Sequence, residues 1–380
     1  MNAHFVPAWP VLNPFDFVRP GTRRQLPFPL CAPGRASFYV ARNAIYHLFR
    51  ALRFGAGESV LVPDYHSGNE VWAIRAAGAS LRYYAVDRNL EPDLDQIRRL
   101  VDRTTRALYV IHFIGWPQPI ERLAEFCRER NILLIEDCAL CLLSESGGRP
   151  LGSFGDYAVY CLYKTLPVPN GGVLVRNNPH APSLQRIPLE RCSPLSVLGR
   201  TLELVVNWLR TNSEGLGRPV AELKRRLGRF LTAGNVRRVP VGDIGFELGN
   251  VNLGMSPICE ALLRHFDYDA VVRKRRANYT ALHERLAGKV PLLRGRLEDG
   301  VCPLFFPILV GDKAAAARRL CNDGIEATEF WNYGDPAAVG TGDAQYLRDH
   351  VLELPIHQDV TQPQIEHIAR RVLELELHPQ

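Results

Sequence analysis

Residues 131–164 read NILLIEDCALCLLSESGGRPLGSFGDYAVYCLYK. Two apolar, β-rich runs lie in this stretch, and each closes on an ionisable residue, Asp137 after the first and Lys164 after the second. Runs that stay apolar at every position, rather than at every other one, belong to strands buried on both faces. Similar runs recur on either side: SVLVP (59–63), LRYYAVD (81–87), ALYVIHFI (107–114) and GGVLVRN (171–177). Between them lie stretches with helical spacing, SFYVARNAIYHLFRAL (37–52), NEVWAIRAAGA (69–79), DLDQIRRLV (93–101) and PIERLAEFCRERN (119–131). Strands alternating with crossover helices predict a three-layer αβα unit around a mostly parallel sheet. In such sheets ligands collect beyond the carboxyl ends of the strands. Asp137 and Lys164 are both at such ends, one crossover apart.

Residues 182–245 break the alternation and read as two helices joined by a glycine-containing turn, the second edged with Lys and Arg. Packing against the main unit, a lid, or weak contact of 195–231 with a partner or a membrane surface are the expectations for this insert. After GMSP (254–257), one long helix over 256–286 is expected. It leads into a smaller α/β unit with strands in CPLFFPILV (302–310) and VLELPIH (351–357), and a last helix opened by the capping-box pair Thr361 and Gln364. The expected division is therefore an extended N-terminal arm (1–34), a large domain (35–254) and a small C-terminal α/β domain (255–380).

The net charge of +6 comes from scattered arginines and favours anionic small molecules. No nucleic-acid-binding signature or basic tail is visible, so nucleic acid is not an expected partner. The nine cysteines have no framework spacing, several sit inside apolar runs, and the count is odd, which reads as reduced thiols in a cytoplasmic protein. Cys138 and Cys141 form a lone CxxC inside such a run, and no metal site is expected. The proline- and aromatic-rich beginning has no continuous apolar segment of the kind a signal peptide or a membrane span requires.

Only five lysines occur, Lys164, Lys224, Lys274, Lys289 and Lys313, among 46 basic residues. An amine retained at a strand end, in a chain that otherwise prefers guanidinium, points to chemistry arginine cannot do. Arginine stays charged and is not nucleophilic, whereas a desolvated amine can form a Schiff base and exchange protons. Three further features surround it. Asp137 supplies a buried carboxylate, and Arg42 and Asn43 stand near a helix start, where free amides and the dipole favour phosphate. Tyr65 and His66 lie just past another strand end, where a flat ring could cover a ligand. An amine, a carboxylate and a phosphate cradle in an apolar setting suit pyridoxal 5′-phosphate. The alternatives are a solvent-facing or ion-paired Lys164 and an Asp137 that caps the next helix.

The ordered set RNAIYHLFRAL, GAGESVLVPDY, AAGASLRYYAVD, TTRALYVIHFIGWPQPI, NILLIEDCA, LGSFGDYAV, the lysine, NGGVLV, NLGMSP and LELPIH resembles the DegT/DnrJ/StrS family of pyridoxal-phosphate sugar aminotransferases. The resemblance covers roughly 35–180 and 245–375. It implies the fold type I architecture of the aspartate aminotransferase-like transferases, with Lys164 as the Schiff-base lysine and Asp137 as partner of the pyridine nitrogen. Ala139 would lie beneath the ring, Arg42 and Asn43 at the phosphate loop, and His66 stacked on the ring. Asn252 would reach the neighbouring subunit's phosphate in a homodimer with shared active sites. The family's Gly-Thr is replaced by Ala41-Arg42, Leu140 and Gly254 stand where Gln or His and Arg are usual, and Asn170 replaces an acidic residue. The segment from Asp156 to Lys164 is short, so Cys161 stands in for a phosphate-binding serine. The implied activity is amino transfer, glutamate being the expected donor and a keto-sugar or related carbonyl compound the acceptor, in polysaccharide or amino-sugar biosynthesis. Another pyridoxal-phosphate reaction on an amino acid, or a non-catalytic scaffold, are the alternatives. His112, His357 and Trp331 are read as structural residues near substrate positions.

Overall fold

The computed structural model describes residues 5–17, 25–184, 187, 189–213, 219–220, 241–242, 245–338 and 342–375. The apolar runs form strands β2 (Ser59–Pro63), β3 (Ser80–Tyr84), β4 (Thr105–Ile111), β5 (Leu133–Cys138), β8 (Tyr157–Cys161) and β9 (Gly172–Arg176). With β1 (Ala36–Phe38) they make one seven-stranded sheet in the order β1-β9-β8-β5-β4-β2-β3. The stretch β3-β2-β4-β5-β8 is parallel throughout. Every residue of β2 and β8 is buried, as their unbroken apolar composition requires. The crossovers are α1 (Ala41–Leu52), α2 (Asn69–Ala76), α3 (Leu94–Leu100) and α4 (Ile120–Arg130).

The sheet is mostly parallel, as expected, with one antiparallel side, and three other expectations are corrected. β9 runs antiparallel to β8, and β1 antiparallel to β9, so the sheet is mixed at this edge. β5 and β8 are joined by no crossover helix but by a small hairpin, β6 (Glu145–Ser146) with β7 (Arg149–Pro150). Gly147 and Gly148, both at positive φ, turn it. The helix expected from residue 37 starts at Ala41, because Ala36–Phe38 is taken up by pairing with β9. The long helix expected over 256–286 is two, α7 (Pro257–Leu262) and α8 (Tyr268–Leu286). Asp267 starts the second by accepting the Ala270 N–H at 2.9 Å. Of the insert, α6 (Pro194–Asn212) follows its sequence. The second expected helix lies, apart from residues 219–220, outside the described residues.

The C-terminal part carries α9 (Lys313–Asn322), α10 (Gly342–His350), α11 (Gln362–Leu373) and an antiparallel pair, β10 (Phe305–Leu309) with β11 (Val351–Pro355). The capping box of α11 forms, with the Thr361 N–H donating to Gln364 Oε1 at 2.8 Å. Two buried guanidiniums tie this part to the large sheet. Arg275 donates to the carbonyls of Pro303, Leu304 and Thr165, and Arg348 to those of Asp64, His66 and Trp331. The arm joins the same region, with Val6 bridging to Ile325 and its N–H bonded to Gly324 O at 2.8 Å. No described helix is long and apolar enough to cross a membrane.

Gly172 is required where β9 passes the start of α1, because a Cβ there would lie 2.5 Å from the Val40 carbonyl oxygen. Gly172→Ala is expected to destabilise the protein by roughly 3 kcal/mol, the upper range for overpacking against backbone. Chemical denaturation monitored by circular dichroism measures it.

Candidate active site

β5 places two acids side by side and, by the two-residue period of a strand, on opposite faces. Asp137 pairs in register with Ile111 of β4, on the face that also carries Tyr109. The Tyr109 hydroxyl donates to Asp137 Oδ2 at 2.5 Å and the Ala139 N–H to Oδ1 at 2.9 Å. Burial pushes the Asp137 carboxyl above its ordinary range, while these two donors and the charges of Lys164 and His112 pull it back.

Lys164 sits in a single helical turn, α5 (Leu162–Thr165), entered directly from β8. The next carbonyl, that of Thr165, accepts from Arg275 Nη2 at 3.1 Å and Gln358 Nε2 at 3.2 Å, so the C-terminal part fixes the turn carrying the amine. Lys164 Nζ lies 5.1 Å from the centroid of the Phe330 ring. Strands β5 and β8 are neighbours, and Lys164 and Asp137 line one small buried cavity of about 40 Å³. Arg42, Ala139 and Cys161 line it too, with Ile45, Leu140, Tyr163, Trp331 and the trio Ser67, Asn69 and Glu70. The first turn of α1 has no side-chain cap, and Arg42 Nη1 donates to Gly242 O at 2.6 Å.

Two residues expected at the site, His66 and Asn43, are placed elsewhere. His66 does not line the cavity. Its ring stacks on Tyr83 at 5.9 Å, its Nδ1 accepts the Gly68 N–H, and burial followed by the Arg348 charge drives its pKa down to about 3. The reason is local: Gly68, at φ +95°, starts α2 so that Ser67, Asn69 and Glu70 face inward instead. Asn43 turns its amide to the Asn250 carbonyl at 2.8 Å. Asn252, expected at a neighbouring subunit's phosphate, lies beside His47 and outside this chain's own cavity lining. His357 is structural, bonded to Pro7 O at 2.9 Å. Trp331 does face the cavity, at φ +58° and with its buried indole N–H unpartnered.

On the far face of β5, His112, Glu136 and Cys138 bring ligand-type atoms within 4.8 Å of one another. Both Glu136 oxygens, however, accept backbone amides of Gly152, Phe154 and Gly155, and His112 bonds Glu136 through Nε2 and the Gln118 N–H through Nδ1. Their bonding capacity serves the loop, which identifies a structural cluster. The Cys138 and Cys141 thiols lie close together and are pushed up by burial. A much larger cleft of about 1010 Å³, between residues 189–201 and 254–260, contains neither Lys164 nor Asp137, so its size does not mark the chemistry.

Sequence reasoning missed Tyr109 and Glu70. Tyr109 looks like one more apolar strand residue, and Glu70 like a surface helix residue. Only the strand pairing and the α2 entry reveal them.

A family model described as the DegT/DnrJ/EryC1/StrS aminotransferase family matches residues 39–189. The dTDP-4-dehydro-2,3,6-trideoxy-D-glucose 4-aminotransferase of Saccharopolyspora spinosa is 26% identical over 343 residues, covering 88% of this chain and 77% of that one. GDP-perosamine synthase of Escherichia coli O157:H7 is 29% identical over a shorter span, 36% of this chain and 38% of that enzyme. Among solved structures, PseC of Helicobacter pylori, an aminotransferase involved in the biosynthesis of pseudoaminic acid, superposes with a TM-score of 0.69 at 16% identity, covering 98% of both chains. The sugar aminotransferase CalS13 from Micromonospora echinospora gives 0.64 at 20% identity, over 97% of this chain and 99% of its own. The fold is thus that of the fold type I aminotransferases.

Tyr109→Phe removes one donor from a buried carboxylate and is expected to destabilise the protein by about 1.5–3 kcal/mol at pH 8. A carboxyl whose folded pKa is raised contributes stability at low pH that is lost as pH rises, so the penalty should shrink from pH 8 toward pH 5 as Asp137 moves closer to taking up its proton. Denaturant titrations at the two pH values measure the difference.

Proposed function

We infer that this chain is a distant member of the DegT/DnrJ/EryC1/StrS aminotransferase family. From that membership we propose that it transfers an amino group, with glutamate as donor, to the carbonyl of a keto-sugar or related acceptor in amino-sugar or polysaccharide biosynthesis. The observation that carries this reading is that Lys164 and Asp137, from adjacent strand ends, line one buried cavity. Pyridoxal 5′-phosphate, the cofactor the family implies, supplies an aldehyde that captures amines and a ring that draws electrons from the reacting carbon.

The donor set suits that cofactor. Lys164 offers the only amine lining the cavity among the described residues, and its Nζ is the nucleophile and then the carrier of the proton moved during transfer. Asp137 would hold the ring nitrogen of the cofactor, and Tyr109 and Ala139 fix the orientation of its two oxygens. Arg42 and the uncapped first turn of α1 provide the anion-binding end, with Cys161 beside them. Ala139 is small enough to let a flat face come close. At about 40 Å³ the cavity has room for about one water, so uptake of a phosphorylated pyridine requires lining side chains to move. The reading includes a cytoplasmic homodimer in which Asn252 reaches across to the other subunit's site, and a division into large and small domains near residue 255.

The purified protein should be yellow and bleach on addition of glutamate, and borohydride should fix the label on the peptide containing Lys164. Lys164→Ala should lose that label and slow amino transfer by ~10³-fold or more. A colourless but folded protein would support the scaffold alternative. Keto-acid release from glutamate without any acceptor would support another reaction type.

A further inference from the structure

Glu70 is a second buried carboxyl in this cavity. It lies in the first turn of α2, 5% exposed, and shares the cavity with Asp137, Lys164 and Arg42. Its Oε1 accepts the Ser67 N–H at 2.8 Å, and Oε2 is bonded to the Ser67 hydroxyl. Among the described residues no lysine or arginine comes within ion-pairing distance of it. The charged and titratable groups facing it are Asp137 on β5, Tyr109 on β4, Lys164 on α5, Arg42 on α1 and Arg348 on α10. Arg348 is engaged with three backbone carbonyls.

The plainer account is a helix cap. Ser67 and Glu70 have the S-x-x-E spacing of a capping box, and the Ser67 N–H bond is the one such a box makes. Glutamine caps equally well in that motif, so capping does not explain an ionisable group buried beside a second carboxylate. Burial, and then the negative charge of Asp137, push the Glu70 carboxyl up to about 7.

We propose that Glu70 links occupancy of the cavity to a proton, the neutral acid admitting a phosphorylated pyridine and the carboxylate opposing it. The inference rests on the cofactor reading above. A phosphate brings negative charge into a space where Asp137 is already the anion that the ring nitrogen needs. An ionised Glu70 adds a second negative charge without a cation of its own. By linkage, the ligand raises the affinity of Glu70 for its proton by the same factor that the proton raises affinity for the ligand. Affinity then falls about ten-fold per pH unit above the Glu70 midpoint.

The test uses pyridoxamine 5′-phosphate, which cannot condense with Lys164 and so leaves that amine's covalent chemistry out. Its affinity for the apoenzyme is measured by calorimetry between pH 6.5 and 8.5, for the wild type and for Glu70→Gln, which preserves the cap. The wild type should weaken by about ten-fold or more relative to the variant across this range. Parallel pH profiles would overturn the inference. Failure of both proteins to bind at any pH would overturn the cofactor reading itself. A ligand-free check guards against misfolding. The folded carboxyl's midpoint lies above its unfolded value, so wild-type stability should decline between about pH 4.5 and 7 relative to Glu70→Gln. Equal stability profiles would also count against the inference.

Discussion

The arrangement of the site depends on consecutive carboxylates, Glu136 and Asp137, both nearly inaccessible to solvent. Moving a carboxylate into a protein interior costs several kcal/mol unless hydrogen bonds or charges replace its water. Because β5 alternates faces, the two acids require two separate sets of partners. Glu136 draws the loop 152–155 around itself through three amides and takes a bond from His112. That loop leads straight into β8, so the anchoring of Glu136 on one face helps to hold the strand that delivers Lys164 on the other. Asp137 takes Tyr109 and Ala139, and Lys164 is a cation within its electrostatic reach. A pair of adjacent acids thus fixes both the strand register and the polarity of the cavity.

Much of this was legible in the chain itself. Six apolar runs and the crossover helices between them carry their own periodicity, and the strand ends point to Asp137 and Lys164 because ligands gather there. What the sequence did not disclose depends on contacts between distant residues. Tyr109 is one aromatic in an apolar run until pairing with β5 sets its hydroxyl on Asp137. His66 and Ser67 differ by one position, and which of them faces the cavity is settled by the positive-φ turn at Gly68. Strands β1 and β9 lie together on one side of the sheet, and whether each runs parallel or antiparallel follows from neighbours rather than from composition. The break between α7 and α8 hangs on a single cap, Asp267, inside a stretch with continuous helical spacing.

The C-terminal part acts on the site through backbone contacts. Arg275 and Gln358 converge on Thr165 O, one residue beyond Lys164, and Arg348 binds the carbonyls of Asp64 and His66, on the approach to α2. A guanidinium carries five donors in a rigid fork, which suits it to gathering several carbonyls at once. In these two places arginine serves as a permanent cation whose charge is dispersed over peptide dipoles. Neither neutralises the cavity carboxyls directly, so Asp137 and Glu70 keep the raised affinity for protons that burial gives them.

Burial alone does not make a lysine reactive, as Lys313 shows. Its ammonium is also buried, yet it donates to the carbonyls of Phe330 and Arg348 at 2.7 and 3.1 Å and sits beside Glu353, a complete structural environment. Lys164 differs in facing a cavity with a carboxylate beyond it. The two amines are nevertheless connected, because Phe330 lies between them. Its carbonyl is held by Lys313, its N–H donates to Glu353 Oε2 at 3.2 Å, and its ring faces the Lys164 ammonium at 5.1 Å. The following residue, Trp331, adopts a left-handed backbone that few bulky side chains enter, and its side chain lines the cavity. The buried Lys313–Glu353 pair therefore does more than stabilise the smaller sheet. By pinning both backbone groups of Phe330 it determines where Trp331 turns, and so how much room remains in front of Lys164.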